Sequence, residues 1–209
     1  MATYNLTIPL SEADVRALHV GDTVMLTGVM VTGRDAAHKY MVETFIRTDA
    51  VPESEQSLYE ELKALLKGSM VYHCGPVVRQ LEGGRWAFVA AGPTTSIREE
   101  PYEAEVIEHF GLRGVIGKGG MGPNTLRACQ THGAAYFHAV GGAASLIANA
   151  VKEVVAVYKK EAFGVPEAFW VIRVENFPVV VTMDSHGQSI HSEVEAASKD
   201  VLARLVGTG

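Results

Sequence analysis

The stretch Gly114-Val115-Ile116-Gly117-Lys118-Gly119-Gly120-Met121-Gly122-Pro123 decides how this chain folds. An apolar run at 112–116 is typical of a strand, four glycines follow it, and Pro123 then begins a segment whose pattern predicts a helix. Glycines let backbone N–H groups approach a ligand and a helix start carries partial positive charge, so the loop with Lys118 suits a phosphate or a carboxylate. The alternative is a glycine-rich turn with a solvated lysine, because the spacing of a P-loop is absent.

The composition is that of a globular protein. Hydrophobic residues make up 47% of the 209 residues and charged residues 20%, which predicts one sizeable core and one domain over residues 1–209. A formal net charge of −6 without a run of lysine or arginine argues against a general nucleic-acid binder. The N-terminus has no leader pattern and no apolar run is long enough to cross a membrane, so we expect a cytoplasmic protein.

The cysteines do not suggest a metal or disulfide site. Cys74 and Cys129 are too few for a four-thiolate site or a disulfide framework, and neither lies in a C-x-x-C motif. His73 precedes Cys74 in a predicted strand, but adjacent strand residues point to opposite faces, so the pair is not expected to act on one substrate. We expect both cysteines to be buried thiols.

In the first part of the chain, Ser11 is predicted to cap a short helical turn, and a strand followed by a helix is predicted after it. The strand covers 23–32 and the helix 35–46. Arg34 and His38 lie four residues apart, so on a helix they share a face at the end of a strand, where open α/β sheets bind ligands. The alternative is a salt-bridged surface turn. The pattern of the stretch 48–67 predicts an acidic loop followed by an amphipathic helix.

The segment GPTTSIR at 92–98 combines three hydroxyl residues with an arginine. The spacing of Ser96 and Glu99 predicts a capping box. Because Pro101 would interrupt a continuing helix, a short turn around 96–99 and a fresh helix at 101–110 are expected. The three hydroxyl residues, Thr94, Thr95 and Ser96, and Arg98 would then lie on exposed loop backbone.

The second half of the chain alternates between strand and helix patterns. Strands are predicted at 134–140 and at 153–158, the latter as a third parallel strand, with a helix at 143–151 between them. The runs 169–174 and 178–183 predict a final strand pair joined by 175–177. Asp184 and His186 follow in a turn that suits a catalytic pair but needs no function, and 192–206 predicts a C-terminal helix.

Four segments in one order carry a resemblance to a known family. TGRDAAHK (32–39), HCGPVV (73–78), GPTTSIR (92–98) and IGKGGMGP (116–123), with AVGGAA and MDSHGQSI later, resemble the β subunit of class I iron–sulfur hydro-lyases. Within that group the chain looks like the β subunit of a two-subunit fumarase, equivalent to the C-terminal domain of single-chain class I fumarases. It is also similar to the β subunit of L-tartrate dehydratase.

The resemblance implies a fold, a partner and a set of site residues. The fold would be a swivelling β/β/α domain, an α/β class with mixed sheets and helices in a single compact domain. A separate α subunit would carry three cysteines and a [4Fe–4S] cluster, in an assembly of two α and two β chains, so this chain would hold no metal. The family's carboxylate-binding residues fall on Arg34, Arg98 and Lys118, and its acid/base threonine falls on Thr94.

The function implied is therefore reversible hydration of fumarate to (S)-malate, at a site shared with the α subunit. Two arginines and a lysine aimed at a dicarboxylate would stabilise the carbanion formed during this reaction. Dehydration of L-tartrate or a related hydroxy-diacid is the alternative, because the GPTTSIR and GKGGMGP segments fit both. A third possibility is a non-catalytic anion-binding module that uses the Lys118 loop.

Overall fold

The structure, a computed structural model, describes residues 1–207. The strands are β1 (Thr3–Thr7), β2 (Thr23–Thr32), β3 (Met70–Tyr72), β4 (Val77–Gln80), β5 (Trp86–Ala90), β6 (Gly114–Gly117), β7 (Ala135–His138), β8 (Val151–Tyr158) and β9 (Phe169–Met183). The helices are α1 (Glu12–Arg16), α2 (Asp35–Met41), α3 (Gln56–Leu66), α4 (Glu100–Phe110), α5 (Pro123–His132), α6 (Ala144–Ala148), α7 (Lys160–Phe163) and α8 (Ile190–Val206).

One mixed sheet organises the chain, in the strand order β1-β2-β3-β6-β7-β9-β8. The strands from β1 to β7 in this order pair in parallel, whereas β9 runs antiparallel to β7 and β8. The long β9 also pairs with β2, so the sheet closes on itself. The β4–β5 hairpin forms a separate two-stranded sheet. This is the mixed α/β single domain that the sequence predicts.

Both faces of the central strands are buried, because neighbouring residues contribute to two different apolar clusters. Phe137 and Trp170 belong to one cluster, and their neighbours Tyr136 and Phe169 belong to the other. Successive side chains of a strand point to opposite faces, so one strand supplies both clusters. Strands buried in this way are nearly continuous apolar runs, which explains why the sequence marks them clearly.

Local signals predicted several elements correctly. The β2 strand has the predicted bounds, and α5 begins at Pro123 and ends before Gly133, whose φ of 64° is left-handed. Ser11 caps α1 in a capping box with Asp14. The predicted helix at 35–46 consists of α2 and a π-helical turn, Val42–Ile46. Of the predicted helix at 143–151, only the residues of α6, Ala144–Ala148, are helical.

Two predictions about the last strands were wrong. β8 is an edge strand antiparallel to β9, not a third parallel strand. The predicted pair at 169–174 and 178–183 is the single strand β9, which passes Asn176 at a φ of 51° without reversing. Pairing with β2 continues on both sides of this bend, from Val174 opposite Gly28 to Phe177 opposite Leu26, and this long-range pairing keeps the chain extended.

No helix within residues 1–207 combines the length and the apolarity that a bilayer span requires.

Candidate active site

Thr94 and Lys118 are held side by side by backbone hydrogen bonds. The Lys118 N–H donates to the Thr94 carbonyl at 3.2 Å, and the Ser96 N–H donates to the Lys118 carbonyl at 3.0 Å. The Thr94 N–H donates in turn to the carbonyl of His73, at 2.7 Å. The segment around Thr94 therefore lies along the loop that leaves β6, and the two predicted site residues are neighbours in space.

Glycines permit this close approach. A Cβ at Gly117 would lie only 1.9 Å from the Ser96 hydroxyl oxygen, so no larger residue fits there without displacing the turn. A Cβ at Gly141 would lie 3.9 Å from Cδ of Lys118, which places the loop after β7 beside the lysine side chain. Gly117 thus makes room for the turn that carries Ser96, and Gly141 lies next to the lysine.

Arg98 contacts both the threonine and an acidic residue. Its Nε and Nη2 lie 3.0 Å from the two carboxylate oxygens of Asp35, and Nη2 donates to the Thr94 hydroxyl oxygen at 3.3 Å. One edge of the guanidinium is therefore already paired with Asp35. Because a guanidinium has five N–H donors, donors remain for a bound carboxylate. Asp35 is a site residue that the sequence patterns did not single out.

Arg34 stands at the N-terminus of α2, where Glu167 holds it. The Nε of Arg34 lies 3.2 Å from one carboxylate oxygen of Glu167, and the other oxygen accepts the N–H of Ala36 at 3.1 Å. A Cβ at Gly75 would lie 2.4 Å from Nη1 of Arg34, so the glycine of the HCGPVV segment makes room for the guanidinium. No local signal connects Glu167 with Arg34, since 133 positions separate them.

The start of α5 is not open to an external anion, contrary to what the glycine loop suggested. The Glu100 carboxylate accepts the N–H groups of Gly122, Asn124 and Thr125, at 2.8, 2.9 and 3.4 Å. It also accepts the hydroxyl of Thr125, at 2.6 Å. A carboxylate of the chain itself thus satisfies the helix terminus. The anion-binding capacity of this loop rests on Lys118.

Other predictions for this region are corrected. Ser96 does not form the expected capping box with Glu99, since no side-chain cap is present at the 3₁₀ turn Ser96–Glu99. It is also buried rather than exposed, and its hydroxyl lies 2.8 Å from Nδ1 of His73. His38 does not join Arg34 on a ligand-binding face, because its side chain is completely buried and its Nδ1 lies 2.9 Å from the carbonyl of Arg34.

The turn after β9 has a structural explanation. The buried Asp184 carboxylate accepts the N–H groups of His186 and Gln188, at 2.9 and 3.0 Å. It also accepts the N–H of Val20, at 3.1 Å, from a distant loop. Asp184 therefore organises the turn and attaches it to the N-terminal part of the chain. His186 contacts the carbonyl of Arg16, at 3.0 Å, so the pair needs no catalytic role.

The cysteines of this chain do not fit an iron–sulfur cluster. Both thiols are fully buried, and Cys74 and Cys129 belong to the two different apolar clusters. Burial raises the pKa of the Cys74 thiol to about 12 and also raises that of Cys129. Cluster ligands are thiolates, which these buried thiols do not provide. The prediction of buried thiols is confirmed.

The carboxyl group of Glu99 introduces a pH-dependent stability. Both of its oxygens are buried without a hydrogen-bond partner among residues 1–207. Burial, reinforced by Asp35 and Glu103 against the opposing effect of His38, raises its pKa from 4.5 to about 7. An acid with a raised folded-state pKa destabilises the folded chain at high pH, because the unfolded chain ionises first.

We therefore expect the Glu99→Gln variant to become more stable relative to wild type as pH rises from 4.5 to 7. The gain in the free energy of unfolding relative to wild type should reach about 1–2 kcal/mol, which is a fraction of what the full pKa shift allows. Urea unfolding of both proteins across this range measures it. A difference that stays constant with pH would contradict the assignment.

Two of the predicted site residues contact Thr94. The guanidinium of Arg98 donates to its hydroxyl, and the backbone N–H of Lys118 donates to its carbonyl, whereas Arg34 pairs with Glu167 at the start of α2. The Arg98 N–H donated to the Thr94 oxygen favours the deprotonated form of this hydroxyl. Such preorganised donors act on charge that develops in a transition state.

Comparisons with known proteins place these residues in context. A family model, the fumarase C-terminus, matches residues 2–194. A putative fumarate hydratase class I of Geobacillus stearothermophilus is 45% identical over 200 residues, which is 96% of this chain and 36% of that protein. The chain thus spans about a third of the length of this relative.

Two further relatives have a length similar to that of this chain. A putative L(+)-tartrate dehydratase subunit beta of Methanocaldococcus jannaschii is 38% identical over 199 residues, with 95% of this chain and 96% of that protein covered. The L(+)-tartrate dehydratase subunit beta of Escherichia coli K12 is 39% identical over 189 residues, with 90% and 86% covered.

Proposed function

This chain belongs to the fumarase C-terminus family, and from that premise we propose that it is the β subunit of a two-subunit hydro-lyase that reversibly hydrates fumarate to (S)-malate. One observation carries the proposal: Thr94 is paired through the backbone with Lys118 and through its side chain with Arg98. The Thr94 hydroxyl thus contacts one cationic group, and the residue that carries a second one is bonded to the Thr94 backbone. Fumarate and malate are dianions, and their interconversion passes through a carbanion with additional charge on one carboxylate.

Each residue has a distinct task in this reaction. Arg34 and Arg98 bind and orient the two substrate carboxylates, with the guanidinium donors that Glu167 and Asp35 leave available. Lys118 stabilises the carboxylate on which charge develops, an effect that strengthens in a site closed to water. Thr94 moves a proton at the substrate carbon. A hydroxyl is a weak base, so Thr94 works with an acidic residue of the partner.

The remaining machinery belongs to a partner α subunit. This subunit holds the [4Fe–4S] cluster, which supplies Lewis acidity when bound, and the complex contains two chains of each kind. In support, two relatives are named β subunits, which implies a partner subunit, and the buried cysteines of this chain are unsuited to a cluster. Ile97 and Val140, which flank the site segments, are 51% and 57% exposed. Apolar side chains exposed beside a polar site suit a surface that a partner covers.

A tartrate dehydratase β subunit is the second candidate. The observation that favours it is the match to two tartrate dehydratase β subunits, 38% and 39% identical over 95% and 90% of this chain. The higher identity to the fumarate hydratase, 45% against 38% and 39%, favours fumarate. The same cations would hold either diacid. A non-catalytic anion-binding module is the least favoured, because Glu100 already satisfies the start of α5.

An anaerobic assay of the complex with its α subunit tests the proposal. We expect the complex to interconvert fumarate and malate, and we expect this chain alone to be inactive. L-tartrate dehydration is measured in parallel. A preference for tartrate would replace the first candidate by the second, and an intact, cluster-loaded complex that is inactive on both diacids would contradict both.

A further inference from the structure

Three ionisable side chains meet in the interior, directly behind the candidate site. His38, His73 and Glu103 are all completely buried. One carboxylate oxygen of Glu103 lies 3.0 Å from Nε2 of His38 and 3.0 Å from Nε2 of His73. The two imidazole rings stand edge to face, with centroids 5.0 Å apart. Buried charges are costly, so an arrangement of this kind requires specific partners.

The contacts of His38 determine where its protons are. Its Nδ1 lies 2.9 Å from the carbonyl of Arg34, which can only accept a hydrogen bond, so Nδ1 carries a proton. Its Nε2 lies 3.0 Å from the Glu103 carboxylate, whose negative charge favours a proton on Nε2 as well, although the two atoms do not meet the angles of a hydrogen bond. Burial alone would lower the pKa of His38, but Glu103 outweighs this effect and raises it to about 9. His38 is therefore an imidazolium paired with a carboxylate.

His73 is neutral and has one defined tautomer. Its Nε2 donates to Glu103, at 3.0 Å, so its Nδ1 is an acceptor. The hydroxyl of Ser96 lies 2.8 Å from this Nδ1 and itself accepts the hydroxyl of Tyr136, at 2.8 Å. Ser96 therefore donates to His73. Burial lowers the pKa of His73, which agrees with a neutral ring.

These contacts form one continuous chain of polar groups. From Tyr136 it runs through Ser96 and His73 to Glu103, and His38 approaches the same carboxylate from the other side. His38 connects the chain to the carbonyl of Arg34. Ser96, near the other end, lies between Thr94 and Arg98 in the sequence and is bonded to the backbone of Lys118. The chain thus connects every segment that carries a candidate site residue.

We propose that His73 is a positioning residue: through Ser96 it fixes the turn that presents Thr94 beside Lys118, and the buried pair of Glu103 and His38 holds His73 in the tautomer required. The proposal rests on the proposed function and extends it. His73 contacts the turn twice, through its ring to Ser96 and through its carbonyl to Thr94. Because catalytic groups must be held within a fraction of an ångström, loosening this turn lowers the rate.

The first test compares two matched serine variants in the complex with the α subunit. Ser96→Ala removes the link to His73, whereas Ser69→Ala removes a similarly buried hydroxyl that donates to the carbonyl of Val29 at 2.9 Å. We expect Ser96→Ala to lower kcat about 10- to 100-fold while KM changes less than about threefold, because Thr94 moves and the arginines still bind. Ser69→Ala should lose thermal stability at unchanged kcat. If kcat is unaltered in both variants, the hydrogen bond between Ser96 and His73 serves stability alone, and the proposal is overturned.

A second measurement does not depend on activity. In the full chain, ¹⁵N NMR should show His38 protonated at both nitrogens and His73 protonated at Nε2 alone. Exchange of the Lys118 amide, which donates to Thr94, should accelerate at least about tenfold in Ser96→Ala but not in Ser69→Ala. Loss of the proposed function would leave these results intact. An unprotonated Nε2 on both rings would instead indicate a metal ion bound by the three side chains and would overturn the proposal.

If Ser96→Ala does not assemble, two histidine variants test the same link. The amide of an asparagine occupies the position of Nδ1, and that of a glutamine reaches the position of Nε2. We expect His73→Asn to retain at least about fivefold more kcat than His73→Gln, because only the former can still bond Ser96. Equal activity of the two variants, or the reverse order, would overturn the proposal.

Discussion

Thr94→Val should abolish turnover of the complex, with kcat reduced at least about 10³-fold, while the cluster of the partner subunit keeps its absorption spectrum. Valine preserves the shape of threonine and removes only the hydroxyl. In the structure this hydroxyl accepts a hydrogen bond from Arg98, at 3.3 Å, and belongs to a residue whose backbone is fixed at both the N–H and the carbonyl. The backbone geometry should therefore survive the substitution. The loss of activity should result from the missing hydroxyl group alone.

Thr95→Val is the matched control for this experiment. Thr95 is the next residue, it is exposed, and the same atoms are exchanged. We expect its kcat to stay within about twofold of wild type, because its side chain is exposed and its hydroxyl has no part in the proposed proton transfer. Initial rates of fumarate hydration under anaerobic conditions measure both variants. Turnover within tenfold of wild type in Thr94→Val would remove Thr94 from the proton-transfer step.

Lys118→Ala should lower kcat about 10²- to 10³-fold, the range typical for the loss of one preorganised donor. The charge that Lys118 stabilises develops in the transition state, so kcat and kcat/KM should fall together and KM should change little. The backbone of Lys118 is bonded to Thr94 and Ser96 whatever its side chain. Truncation should consequently leave the turn in place.

The control for Lys118→Ala is a lysine outside the site. Lys39 is exposed, and its ammonium group lies 3.9 Å from the Glu43 carboxylate. An exposed pair of this kind contributes little, so Lys39→Ala should behave as wild type. Steady-state kinetics of both variants in the complex decide the question. Activity of Lys118→Ala within twofold of wild type would contradict its assignment.

The positions of the candidate site residues were accessible from sequence because each lies in a segment with strong local signals. Glycines mark the loop around Lys118, and the strand before it is a continuous apolar run. The partners of these residues were not accessible. Asp35 faces Arg98 across 63 positions, and Glu167 faces Arg34 across 133. Nothing in the local pattern of either acid indicates its partner.

Ser96 illustrates how tertiary contacts override a local signal. The spacing of Ser96 and Glu99 satisfies the capping-box pattern, yet the buried imidazole of His73 and the hydroxyl of Tyr136 bond the serine instead. A capping hydrogen bond and a buried hydrogen bond are similar in strength, but leaving His73 unsatisfied in the interior would be costly. The buried group therefore determines the rotamer of the serine.

By itself, the sequence determined the elements whose signals are local: the strand β2, the helix α5 between its proline and its glycine, and the Ser11 cap of α1. Only the tertiary structure decided that β9 is one continuous strand and that β8 runs antiparallel to it. It also decided that His38 is buried and charged behind the site. Caps, glycines and apolar periodicity act within a few residues, whereas strand pairing and buried charge depend on groups that only the folded chain brings together.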